Sequence, residues 1–397
     1  MKKTGLKTTA LSLILCVSLC SCATATYVED DGAATTEATT TEIVSDAETT
    51  TAGEAASADA TEATEEAGDA EESTTETSKS DWRETTPYEC LSLDGVEENH
   101  IITDDYCYIE SDKYVLFLDK DVDLPGDFVV NLDAIIDEIE VQTGLSACPD
   151  TYNTGFPDMS VYFDEYPWED VDIGRKIPIF IMVDREDEGL ISCACESFAV
   201  FVIYELYSDE FWMSHFSRDE DWRLVDYIDY TTISHELTHV VTERRGKMTN
   251  IMTEGFAEFM GLSIVSTLAD QYPSIGETNA KRYLYDNAIP APVNADNAEA
   301  VFISDYNDIS HADRGAEYVT GRYFSKFLYE KFGDGFIADY FNTLDKYNYP
   351  DIYGDYDETV VTGYVEALKE TYGDDVFTEF GDWCVANNAL QSIEGVW

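Results

Sequence analysis

The chain has 397 residues, 44% of them hydrophobic and 13% aromatic, which is enough apolar material for one large or two ordinary domains with a sizeable core. Its formal net charge of −59 excludes a nucleic-acid partner, whose phosphates it would repel, and excludes electrostatic docking on anionic lipid. The charge suits a solvated acidic surface, cation binding, or basic partners and substrates.

Residues 1–22 read as an address. Lys2, Lys3 and Lys7 precede a short apolar run from Leu11 to Leu19, too short to span a bilayer as a mature helix. The run ends in Leu19-Cys20-Ser21-Cys22, which resembles the bacterial lipobox. Cys22 follows the small Ser21 and is the candidate lipidation site; an ordinary cleaved signal is the alternative. The expected location is the outer face of a bacterial cytoplasmic membrane, with contact to the bilayer only through the lipid anchor. Residues 23–85 are rich in Thr, Ala and Glu, and between Thr35 and Ala70 the only large apolar residues are Ile43 and Val44. Such a segment buries too little surface to offset its ordering entropy, so a disordered acidic stalk is expected.

The folded part is expected over 86–397, beginning near Pro87. Residues 106–110 and 113–118 read as short strands, and Leu132, Ile135, Ile136 and Ile139 recur at helical spacing, placing a helix over about 126–143. Residues 176–183 and 198–204 are further apolar strands. Beyond Asp226 the pattern turns helical, with helices expected at about 226–244, 253–270, 315–332, 335–347, 358–371 and 375–390. The fold class is therefore α+β: a part with a small antiparallel or mixed sheet over about 86–225, then a mostly helical part over about 226–397, with the chemistry at the junction. Outside the leader lie Cys90, Cys107, Cys148, Cys193, Cys195 and Cys384, an even set that permits disulfides without choosing among fifteen pairings. Cys193-Ala-Cys195 has no second pair at ligand spacing, so the cysteines read as structural or free.

The chemistry concentrates in His235-Glu236-Leu237-Thr238-His239, where Ile233, Leu237, Val240 and Val241 mark the buried stripe of a helix. Residues four apart share a helix face, so both imidazoles project from one side and suit tetrahedral zinc. Glu236 adjoins the first ligand, where a carboxylate can reach a water in the metal's open position. With five histidines in the chain, chance matches to this spacing number on the order of 0.01, which disfavours a pair of surface histidines. Fourteen residues separate His239 from Glu254, room for a turn and a second, antiparallel helix that returns Glu254 beside the histidines. Three ligands leave one position open, as a catalytic zinc site requires. Glu258, one turn beyond Glu254, is placed to accept the remaining ring N–H of a ligand histidine; a solvent-facing carboxylate is the alternative.

His235-Glu236-Leu-Thr-His239 together with Glu254-Gly-Phe-Ala-Glu258 resembles the gluzincin metallopeptidases, the group of thermolysin and the aminopeptidase N relatives, strongly over about 231–261 and more loosely to about 333. The resemblance implies one catalytic Zn2+ held by His235, His239 and Glu254, with Glu236 as general base and then acid. It also implies an antiparallel edge strand before the first zinc helix that binds substrate backbone, for which 198–204 is the candidate. Tyr318-Val-Thr-Gly321 resembles the aminopeptidases' Tyr-x-Lys-Gly stretch with Thr320 in place of lysine, making Tyr318 a candidate oxyanion donor. A core tyrosine is the plain alternative among 26 tyrosines, and His311 is the competing donor. No Gly-Ala-Met-Glu-Asn-like stretch is present, so the reading favours an endopeptidase over an aminopeptidase. A peptide or protein substrate is expected, of unassigned sequence; no oligomeric state is assigned. The rivals are a non-catalytic surface binding or adhesion lipoprotein that retains the metal site, and a zinc hydrolase of non-peptide amides.

Overall fold

The computed structural model describes residues 81–93, 105–122, 124–150, 171–184, 192–195, 198–204, 230–277, 292–304, 314–347 and 358–390. The leader, Cys22, His311 and residues 23–80 lie outside them. Helix α1 (Trp82–Thr85) precedes β1 (Cys90–Ser92), β2 (Tyr106–Glu110), β3 (Tyr114–Asp119), α2 (Phe128–Thr143), β4 (Ile177–Asp184), β5 (Cys193–Cys195) and β6 (Phe198–Tyr204). The remainder is helical: α3 (Tyr230–Glu243), α4 (Asn250–Leu268), α5 (Pro273–Glu277), α6 (Ala298–Ile303), α7 (Arg314–Phe332), α8 (Phe336–Leu344), α9 (Glu358–Tyr372) and α10 (Val376–Ala386). The expected α+β order is observed. The fold starts earlier than Pro87, because Trp82 is fully buried and its indole N–H donates to the Val122 carbonyl at 3.0 Å. No helix among the described residues is long and apolar enough to cross a membrane.

The strands form one mixed sheet in the order β1-β2-β3-β4-β6-β5. β1, β2 and β3 form an antiparallel meander, whereas β3, β4 and β6 run parallel. A parallel step needs a crossover, and α2 supplies it between β3 and β4. β3 lies inside the sheet and all six of its residues are buried, as a strand covered on both faces must be. Phe117 of β3 stacks on Phe180 of β4 with centroids 4.8 Å apart.

One sequence-based expectation changes here. β6 is not the edge: β5 pairs antiparallel to it, Cys193 opposite Val200, and β5 is the edge strand. With only three residues, β5 shows no readable alternation. Cys90 and Cys107 are disulfide-bonded across β1 and β2, while Cys148 and Cys384 carry free thiols, so the reading of the cysteines as structural or free holds for these four. The bond closes a loop with a sequence separation of 17, for which chain entropy in the unfolded state is worth about 3 kcal/mol. The double variant Cys90→Ala/Cys107→Ala should therefore unfold at lower denaturant, by about that amount; an unchanged midpoint would show that the bond constrains nothing.

Both ends of α3 are tied to the sheet-containing half. At its start, the Tyr230 hydroxyl accepts from the Asn131 amide of α2 at 2.9 Å. The same amide donates to Ser274 Oγ at 2.7 Å, and Ser274 donates to Asp127. Just past its end, the buried Arg244 guanidinium donates to the carbonyls of Ala147, Arg175 and Lys176 at 2.7, 2.9 and 3.1 Å. β5 and β6 also pack against α3.

Candidate metal centre

α3 is buried on nearly every side, well beyond the apolar stripe. Its threonines tolerate this by bonding back along the helix: Thr238 donates to the Ser234 carbonyl at 2.7 Å and Thr242 to the Thr238 carbonyl at 2.8 Å. α4 crosses both α3 and α7 closely. Three glycines permit those crossings. A Cβ on Gly261 would meet the Thr231 carbonyl of α3 at 2.9 Å. A Cβ on Gly255 would meet Gly321 Cα of α7 at 2.1 Å, and one on Gly321 would meet the Ile251 carbonyl at 1.9 Å. Backbone therefore touches backbone beside Glu254, and the side chains flanking the glycines converge.

His235, His239 and Glu254 come together there, all buried. The two Nε2 atoms are 3.0 Å apart, and Glu254 Oε2 lies 3.7 Å from Nε2 of His235 and 3.2 Å from Nε2 of His239. Those three atoms lie on a circle of radius about 1.9 Å, a spacing compatible with the ~2.0–2.2 Å of zinc–nitrogen and zinc–oxygen bonds, so the three side chains could hold one ion together. Both carboxylate oxygens of Glu254 and Nδ1 of His239 are buried without a hydrogen-bond partner among the described residues. A buried carboxylate facing two imidazoles needs positive charge between them, from a proton or from a metal ion. The residues present fit a metal ion.

The electrostatics agree. Burial opposes charge on His235, but Glu254 and Glu258 outweigh it and push its pKa up to about 10. His239 is raised as well, against its burial, chiefly by Glu254. Burial would raise Glu254, yet His239 and His235 hold it down at about 2. The cage demands positive charge, which a proton or a metal ion can supply, and metal binding would displace the proton.

The flanking residues fall as follows. Glu236 is buried on α3, close enough for its charge to act on both imidazoles. Glu258 Oε2 lies 3.4 Å from Nδ1 of His235. Tyr318 is buried with its ring parallel to that of His235, centroids 6.0 Å apart. Sequence reasoning missed Arg322, also buried, whose Nη1 lies 3.7 Å from Glu258 Oε1. Its one available signal was its place directly after Gly321, a glycine in the interior of a helical pattern. The glycine crossing was legible only as isolated glycines in helical patterns, which mark close packing without naming the partner.

No family model, curated protein or solved structure matches this chain. The site itself is a buried two-histidine, one-glutamate cluster of the His-Glu-x-x-His kind, able to hold a metal ion.

Proposed function

We propose that the chain is an exported zinc peptidase of the gluzincin type, cleaving peptide bonds within a chain. The observation that carries this reading is the arrangement of Glu254 facing both Nε2 atoms, with Glu236 on the same helix turn as His235. A bound zinc ion would supply a water acidified toward a pKa of about 7 and a Lewis acid for the scissile carbonyl. Glu236 accepts the proton from that water and returns it to the departing nitrogen. Tyr318, stacked on His235, is the hydroxyl nearest in role to an oxyanion donor, with His311 as the alternative. The outer side of β5 pairs with no strand among the described residues, and an extended peptide can add to such an edge.

Export with lipidation at Cys22 is part of the proposal. The leader pattern supports it, and the disulfide between Cys90 and Cys107 suits an oxidising compartment. The test is metal analysis of the purified full chain together with cleavage of a peptide library with and without chelator. Near one zinc per chain and chelator-sensitive cleavage of internal bonds are expected. Zinc without cleavage of any peptide would point to the binding-protein reading, and cleavage of non-peptide amides alone to the other hydrolase.

A further inference from the structure

Glu258 uses both carboxylate oxygens, and the two partners lie on different helices. Oε2 faces Nδ1 of His235 on α3 at 3.4 Å, and Oε1 faces Nη1 of Arg322 on α7 at 3.7 Å. Both side chains of the ion pair are nearly buried, 6% exposed for Arg322 and 12% for Glu258. Arg322 directly follows Gly321, the residue whose missing Cβ lets α7 touch α4 beside Glu254. The contact that brings the third ligand into place therefore also delivers the guanidinium. Three carboxylates, Glu236, Glu254 and Glu258, converge on two histidines, and arginine sets a permanent cation against the one that is not a candidate ligand or base.

We propose that Arg322 is a positioning residue for the metal site: it holds Glu258 so that the carboxylate accepts the Nδ1–H of His235 and leaves the Nε2 lone pair aimed at the ion. This inference rests on the metal-site reading above. A buried ion pair is weak evidence for stability alone, and its better-attested use is to fix one arrangement among several. The chain Arg322–Glu258–His235 fixes both the tautomer and the ring plane of a ligand, and partners of this kind are typically worth ten- to a hundredfold in metal affinity.

The test uses the full chain, zinc itself as the probe, and two readouts. Zinc Kd is measured by chelator competition, and the His235 Nδ1–H resonance is followed by NMR in zinc-saturated protein. Arg322→Met is expected to raise the Kd about tenfold and to shift the Nδ1–H resonance although zinc is saturating. Glu258→Gln should raise the Kd similarly, and adding Arg322→Met to it should change little, because the two act through one contact. Should the methionine variant not fold, Arg322→Lys, which keeps the charge and loses the planar fork, is expected to raise the Kd by a smaller factor of roughly three. The proposal is overturned by unchanged Kd and an unshifted resonance in a folded variant, or by Arg322→Met and Glu258→Gln effects that multiply in full. A wild-type chain that takes up no zinc instead sinks the metal-site reading, and this inference with it.

Discussion

Glu236→Gln should retain its zinc and lose peptide cleavage by about a thousandfold, the middle of the range for removing a general base. The amide has the shape of the carboxylate, so the buried position of Glu236 on α3 remains filled. The three candidate ligands, His235, His239 and Glu254, are untouched. What disappears is the capacity to accept a proton and to return it. Metal content and kcat must be read together. Zinc retained with wild-type turnover would remove Glu236 from the mechanism; zinc lost along with turnover would recast it as a structural prop of the cluster. Glu254→Gln provides the contrast, since its neutral amide weakens the site itself, and there loss of metal should precede any loss of rate.

Gly321→Val should be the most destabilising single change near the site. A Cβ at 321 would lie 1.9 Å from the Ile251 carbonyl oxygen and 2.7 Å from Gly255 Cα. Both are backbone atoms, which cannot swing away as a side-chain tip can. Overpacking a core typically costs about 1–3 kcal/mol, and a clash against helix backbone belongs at or above the top of that range. With total stabilities of about 5–15 kcal/mol, α4 and α7 would either part or unfold. Parting would carry Tyr318 from His235 and Arg322 from Glu258, so denaturant midpoint and zinc affinity should fall together. Gly333→Ala is the control: nothing lies within 4 Å of its Cβ, and only its φ of +78° opposes the change. That cost should be about 1 kcal/mol, with zinc affinity unchanged. A Gly321→Val variant as stable as Gly333→Ala would mean that the crossing is looser than described.

The seven longer helices were legible because each carries an apolar repeat longer than one turn, whereas α1, α5 and α6, of four to six residues, are too short to show one and were not expected. Leu132, Ile135, Ile136 and Ile139 are all buried in α2, as their spacing predicts. The ligand pair was legible because a four-residue spacing on one helix is a local geometric fact, and Glu254 because a short connection constrains what an antiparallel return can reach. Four features required the tertiary structure. β5 is too short for a pattern, and its place outside β6 depends on pairing across the sheet. The partner of Cys90 is set by the register of β1 on β2, in which Cys90 faces Ile109 and Ser92 faces Cys107. Arg322 and Gly321 have meaning only through α4, some sixty residues upstream. In each of these, the information lies in which distant segments meet, and local propensity does not encode that.

Asn131 and Arg244 clamp the two ends of α3 to the segment around α2 and to the entry of β4. The two candidate histidine ligands thus sit on a helix whose axis is set by residues that contribute nothing to coordination. Metal uptake and the integrity of the sheet are then one equilibrium: saturating ligand at a hundred times Kd would lend about 2.7 kcal/mol to the whole fold, strands included. Conversely, the helical segment cut free of residues 81–204 would keep every coordinating atom and lose the geometry that makes them a site.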